Sequence, residues 1–237
     1  MGKRRSCDRV LNTRICVSIP PKTIDEAFLL IQKAEAQHAD LIEVRLDNLK
    51  NRERIIEIPS FSQIPLIATN KSIQQNGRFS GTEKERQKIL LDAAKAGFAY
   101  VDVDMGISPK NELIRSLKDV GVKVIVSFHD FELTPSLASL SNVLEEQLTL
   151  GANVCKIITT ARIVEDNLTT LNFVSDASKH TQLVCFAMGD LGKPSRLLAP
   201  VFGAIFTFAC LDEKRKTAKG QLTIQEMKLT YETLGLK

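Results

Sequence analysis

VKVIVSFHDFELTPSLASLSNVLEEQLTLGANVCKIIT, residues 122–159, reads as strand, helix, strand. VKVIVSF (122–128) and NVCKIIT (153–159) are short apolar runs rich in β-branched residues, and Gly151 and Asn153 mark the turn into the second. Between them PSLASLSNVLEEQLTLG (135–151) has helical spacing, opened by Pro135 and closed by Gly151. The same alternation runs along the chain. Further strand-like runs fall at RICVSIP (14–20), DLIEVRL (40–46), PLIATN (65–70), YVDVDM (100–105), QLVCFAM (182–188) and AIFTFA (204–209). Amphipathic segments lie at 23–37 and 81–97, the second with Ile89, Leu90, Ala93, Ala94 and Ala96 on one face and Gly97 as C-cap. Eight strands alternating with helices predict an α/β protein, a parallel sheet closed into a (β/α)₈ TIM barrel, as a single domain over 14–237. An open doubly wound sheet ranks lower, because no G-x-G-x-x-G or Walker loop follows the first strand.

Length and composition agree with one sizeable core: 237 residues, 43% hydrophobic and 25% charged. The formal net charge of +4 is local. Within residues 1–14, Lys3, Arg4, Arg5, Arg9 and Arg14 against Asp8 account for all of it, so the chain beyond 14 is formally neutral and residues 1–13 read as a basic, loosely docked terminus. A basic face of the kind that binds nucleic acid is not expected. The five cysteines are odd in number, include no C-x-x-C pair, and mostly sit in apolar runs, which favours a reducing cytoplasm over disulfides or zinc. His38, His129 and His180 stand too far apart for a local metal-ligand pair. No apolar h-region follows the basic start, and the longest apolar segment, 197–211, falls short of the roughly 18 residues a spanning helix needs. A soluble protein is expected.

A barrel places catalytic groups at the C-terminal ends of its strands. Ser18 ends the first strand. Glu43 and Arg45 share one side of the second. Lys71 follows the third, and His129 and Asp130 follow the fifth. Lys156 interrupts the apolar sixth, Met188 ends the seventh, and Thr207 and Phe208 lie in the eighth. Each has an ordinary alternative: a snorkelling lysine, a surface ion pair, a histidine that caps a turn, core Met and Phe. Their joint placement on strand ends favours a site.

ADLIEVRLDNL, VSFHDFELTPS, NVCKIITTA, MGDLGKPSRLLAPVFGAIFTFA and the late KGQ together resemble type I 3-dehydroquinate dehydratase, the Schiff-base dehydroquinase of the shikimate pathway. The resemblance implies a (β/α)₈ barrel, usually a homodimer, that dehydrates 3-dehydroquinate to 3-dehydroshikimate without metal or organic cofactor. By motif, Lys156 would be the Schiff-base lysine and His129 the general acid/base. Ser18, Glu43, Arg45, Lys71, Met188, Arg196, Phe208, Thr217 and Gln221 would contact substrate, with Arg196 as the fork for its carboxylate. The alternatives are a class I aldolase-type barrel, or an impaired barrel that acts as an interaction module.

Three departures from the common motif stand out. The strand-3 arginine and the carboxylate four residues on are Lys71 and Gln75, a serine is replaced by Thr217, and the loop between Phe208 and Gln221 is slightly longer. With Gln75 in place of a carboxylate, Glu43 is expected to orient His129, or Glu83 if the loop 71–81 shifts the count. Lys156 is expected to have its pKa lowered by its apolar strand and by Arg45, as a nucleophilic amine requires. The polar stretch 211–221 is expected to form a lid.

Overall fold

The computed structural model describes residues 13–236, so the basic segment 1–13 lies, apart from Thr13, outside them. Eight strands follow in chain order: β1 (Ile15–Ile19), β2 (Leu41–Arg45), β3 (Leu66–Thr69), β4 (Tyr100–Asp104), β5 (Lys123–His129), β6 (Val154–Thr160), β7 (Leu183–Met188) and β8 (Thr207–Cys210). All pair in parallel, in the order β7-β6-β5-β4-β3-β2-β1-β8. Between the two edges the Ile205 N–H donates to the Leu183 carbonyl at 2.9 Å, which brings the sheet close to closure. The fold is the expected barrel. Its eighth strand begins three residues later than the apolar run at 204 suggested.

Seven α-helices wrap the sheet among the described residues: α1 (Ile24–Ala36), α2 (Glu83–Ala96), α3 (Lys110–Asp119), α4 (Leu137–Thr149), α5 (Asp166–Ala177), α6 (Lys193–Phe202) and α7 (Ile224–Thr233). Their ends follow local chemistry. Thr82 and Glu85 form a capping box on α2, and Gly97 takes φ 103°, where a side chain would be strained. After β2 a 3₁₀ segment, Ile55–Phe61, replaces a full helix. Pro59 and the β-branched Ile55, Ile56 and Ile58 work against an α-helix there, and Phe61 stacks on Phe28 of α1 at 3.6 Å.

Strand residues alternate between two environments. Val17, Ile42, Val44, Ala68, Val101, Val103, Val124 and Val126 join the apolar layer beneath the helices. The other parity points into the barrel. Cys16, Leu41, Ile67, Ile125 and Val184 are packed with Phe206 in a second apolar cluster, which plugs the lower part. Above it the inward positions turn polar: Ser18, Glu43, Thr69, Asp102, Ser127 and Lys156 are all buried. Thr207 faces the other way, its hydroxyl bonded to the Arg196 carbonyl on α6.

One turn sets the upper rim beside β3. Phe79 N–H bonds the Lys71 carbonyl at 3.1 Å, Gly77 N–H bonds Ser72 O at 2.8 Å, and Ser72 and Phe79 form a β-bridge. A Cβ on Gly77 would overlap the Lys71 carbonyl. Gly77→Ala is therefore expected to lower stability by about 1–3 kcal/mol and to displace Lys71. Urea unfolding with an unchanged midpoint would show that the turn can relax.

Candidate active site

The upper mouth of the barrel opens into a cavity of about 540 Å³, counted out to solvent. It is lined by Glu43, Arg45, Lys71, Gln75, His129, Lys156, Met188, Arg196, Phe208, Thr217 and Gln221, with Phe131, Ile158 and Phe186. Of the strand-end candidates expected from sequence, Ser18, Asp130 and Thr207 stay off this lining. Asp130 instead caps the following turn, accepting from Glu132 N and Leu133 N. Ser18 is the one among them that the resemblance placed on substrate. It sits behind Glu43, to which its hydroxyl donates at 2.5 Å.

Lys156 is the centre of the floor. Its Nζ donates to Asp102 Oδ2 at 2.7 Å and reaches Glu43 Oε1 at 3.4 Å, and it lies 4.4 Å from the Phe208 ring centroid. The carboxylates are themselves held: Glu43 by Ser18 and by Thr69 at 3.0 Å, Asp102 by the Ser127 hydroxyl at 2.6 Å. From the helix side, Gln147 donates to the Lys156 carbonyl at 2.9 Å. These contacts reverse the expected sign. Burial pulls the Lys156 pKa down, but Asp102 and then Glu43 outweigh it, so the amine is held charged, well above its ordinary value. Glu43 shows the reciprocal effect. Burial would raise it, but Lys156, Arg45 and the Ser18 hydroxyl bring it to about 2.

His129 also differs from expectation. Glu43 turns to Ser18, Thr69 and Lys156 rather than to His129, and Glu83 pairs with Arg86 at 2.9 Å. The nearest carboxylate is Asp104, whose Oδ2 is 3.9 Å from Nδ1, beyond hydrogen-bonding distance. The group that reaches the ring is Lys71, with Nζ 3.2 Å from Nδ1 and 2.9 Å from Nε2. Phe131 stacks alongside at 5.8 Å.

Two arginines complete the wall, in opposite states. Arg45 is clamped by Asp47 through two bonds of 2.8 Å, and the same carboxylate accepts from Lys71 N, Arg78 N and Asn48 Nδ2. Arg196, in the first turn of α6, is almost fully buried. It has one long bond from Nη1 to Phe208 O at 3.4 Å, while Nε and Nη2 have no partner. Burial lowers it to about 10, which leaves a charged fork above Phe186. The segment 211–221 spans this side. Thr217 donates its hydroxyl to Ser18 Oγ at 3.4 Å and holds Gln221 Oε1 with its N–H at 2.8 Å, while Gly220 packs against Gly189.

Three carboxylates escaped the sequence reading: Asp47, Asp102 and Asp104. Asp102 and Asp104 have the same two-residue spacing in YVDVDM that marked Glu43 and Arg45. That spacing was the available signal. Among the described residues no group of His, Cys, Asp and Glu could hold a metal ion, and no helix is long and apolar enough to cross a membrane.

Asp102→Asn removes the nearer of the two charges that hold the Lys156 proton. The Lys156 pKa is expected to fall, and carbamoylation of Lys156 by cyanate, followed by peptide mass, to speed up about tenfold, one pKa unit's worth. An unchanged rate would mean that Asp102 does not hold that charge.

Comparison with known proteins gives a consistent family. The sequence model of type I 3-dehydroquinase matches residues 15–237. The 3-dehydroquinate dehydratase of Methanosarcina barkeri is 34% identical over 222 residues, covering 89% of this chain and 92% of that protein. That of Desulfotalea psychrophila is 34% identical over 221 residues, covering 91% and 95%. The crystal structure of type I 3-dehydroquinate dehydratase from Clostridium difficile, solved with covalently modified comenic acid, superposes with a TM-score of 0.85 at 25% identity, covering 94% of this chain and 92% of that one. This chain belongs to the type I 3-dehydroquinase family.

Proposed function

We propose that the protein is a hydro-lyase that converts 3-dehydroquinate to 3-dehydroshikimate, in the shikimate pathway, through an imine on Lys156 with His129 as general acid/base. The observation that carries this reading is one arrangement: a buried lysine against two carboxylates, facing a histidine and an unpaired arginine fork. A homodimer in the cytoplasm belongs to the same reading and rests on the family resemblance.

The chemistry has to begin with a proton leaving Lys156, since an ammonium has no lone pair. Asp102, at 2.7 Å, is the nearer of the two acceptors in reach. The amine then adds to the substrate carbonyl, and loss of water gives the iminium. His129 takes a proton from the adjacent carbon, and its C–H electron pair passes into the enamine. The enamine expels the β-hydroxyl, to which His129 returns the proton, so that the group leaves as water. Hydrolysis of the iminium frees the product and restores Lys156. Arg196 pairs with the substrate carboxylate, and Gln221 and Thr217 close over it from the 211–221 segment.

Glu43 is buried and held ionised near the iminium, which suits it to stabilise that cation rather than to orient His129. Arg45, fixed by Asp47, limits how far the mouth can relax. An aldolase-type barrel would use the same lysine, so the substrate trapped must separate the two readings.

Borohydride in the presence of 3-dehydroquinate is expected to inactivate the protein and add one substrate-derived mass to the Lys156 peptide. An unmodified peptide from an active preparation would end the imine reading, and a protein that neither turns over nor traps would favour the interaction module. His129→Ala is expected to lose turnover by roughly 10²–10⁴-fold while still trapping the adduct. Near-normal kcat in that variant would move the acid/base role elsewhere.

A further inference from the structure

A histidine that works as a base is commonly steadied by a carboxylate on its other nitrogen. Here that place is held by an amine. Lys71 Nζ lies within 3.2 Å of both ring nitrogens, while Asp104 stands back at 3.9 Å. Gln75 does not supply the missing group. Its amide nitrogen lies toward Gly106 at the end of β4, and its buried Oε1 has no hydrogen-bond partner.

Lys71 is fixed in this position from its backbone. Its N–H reaches Asp47 Oδ1 at 3.4 Å, its carbonyl accepts from Phe79, and the Gly77 turn packs against that carbonyl. The side chain is buried, and among the described residues no carboxylate pairs with it. The group this ammonium lies against is the imidazole, with both ring nitrogens within 3.2 Å of Nζ. A protonated His129 would instead place two cations in direct contact.

We propose that Lys71 is a positioning residue for His129, replacing the carboxylate partner: its ammonium, packed within 3.2 Å of both ring nitrogens, fixes the ring and disfavours its protonation before substrate binds. This rests on the reading of His129 as the base. The charged groups that face the ring agree with it. Lys71 from the end of β3, Lys156 from β6 and Arg45 from β2 are cationic, against Asp104 alone from β4 at 3.9 Å. Burial, then Lys71, Lys156 and Arg45, hold His129 well below the ordinary histidine value. Burial and then Lys156 bring Lys71 down to about 8. Below about 8 Lys71 is charged, and His129 beside it is held neutral below the ordinary histidine range.

The test is a histidine titration by NMR on the intact, ¹³C-labelled protein. It has three histidines, and His129→Gln assigns the signal. In the wild type, His129 is expected to stay unprotonated well below about pH 6.5. Lys71→Met keeps the stem and removes the charge, so the His129 midpoint should rise toward 6.5, whereas Lys71→Arg should leave it low. The acid limb of kcat/KM should move with the midpoint, so that Lys71→Met loses kcat/KM at a higher pH than the wild type and Lys71→Arg does not. An unmoved midpoint in Lys71→Met overturns the proposal whatever happens to activity. Should that variant fail to fold, an ordinary midpoint in the wild type overturns it alone. A midpoint that rises without moving the acid limb supports the Lys71 contact but overturns His129 as the base.

Discussion

Burying four cations and four carboxylates in one barrel mouth requires that their charges balance where they stand. Lys156, Lys71, Arg45 and Arg196 face Glu43, Asp47, Asp102 and Asp104, all at most 8% exposed. In a site this dry, removing one partner of a close pair costs about 3–5 kcal/mol, because the other charge is left desolvated. The contact between Lys156 and Asp102 is the tightest of these constraints. It fixes the height of β4 against β6 across the barrel, and Ser127 and Gln147 then hold the two ends of the pair.

The balance is deliberately uneven in its geometry. Lys156 has two carboxylates and Arg45 has a bidentate one, whereas Arg196 and Lys71 have none within ion-pair distance among the described residues. Charges left without a partner are the ones free to engage something else. Arg196 faces the cavity with two empty donors, a fit for an incoming carboxylate. Lys71 turns to His129. Thus burial makes the paired groups depend on one another and leaves the unpaired ones available to a partner.

Loops supply the rest of the mouth, and they are tied to strand ends rather than left to span freely. Asp47 gathers Arg45 and the backbone of Lys71 and Arg78, which links β2 to the turn after β3. The 211–221 segment returns to the sheet through the Cys210–Leu222 hydrogen bond and meets Ser18 through Thr217. A closed network of this kind explains why a change at Gly77 or Gly220, neither of which touches the cavity, would still be felt in it.

The sequence by itself determined the strand and helix order, since apolar runs of period two and amphipathic segments of period 3.6 are local signals. It also determined that Glu43 and Arg45 share one side of their strand, because parity follows from the pleat. The resemblance drew Arg196, Thr217 and Gln221 into the same site. Tertiary structure alone decided which groups meet. Lys156 and Asp102 are separated by 54 residues, and Lys156 and Glu43 by 113. Their contact depends on barrel register, which no local period encodes. The same register changed the sign of the Lys156 pKa shift, turned Glu43 away from His129, and set Lys71 in its place. Parity tells which way a side chain points. Only closure of the barrel tells what it finds there.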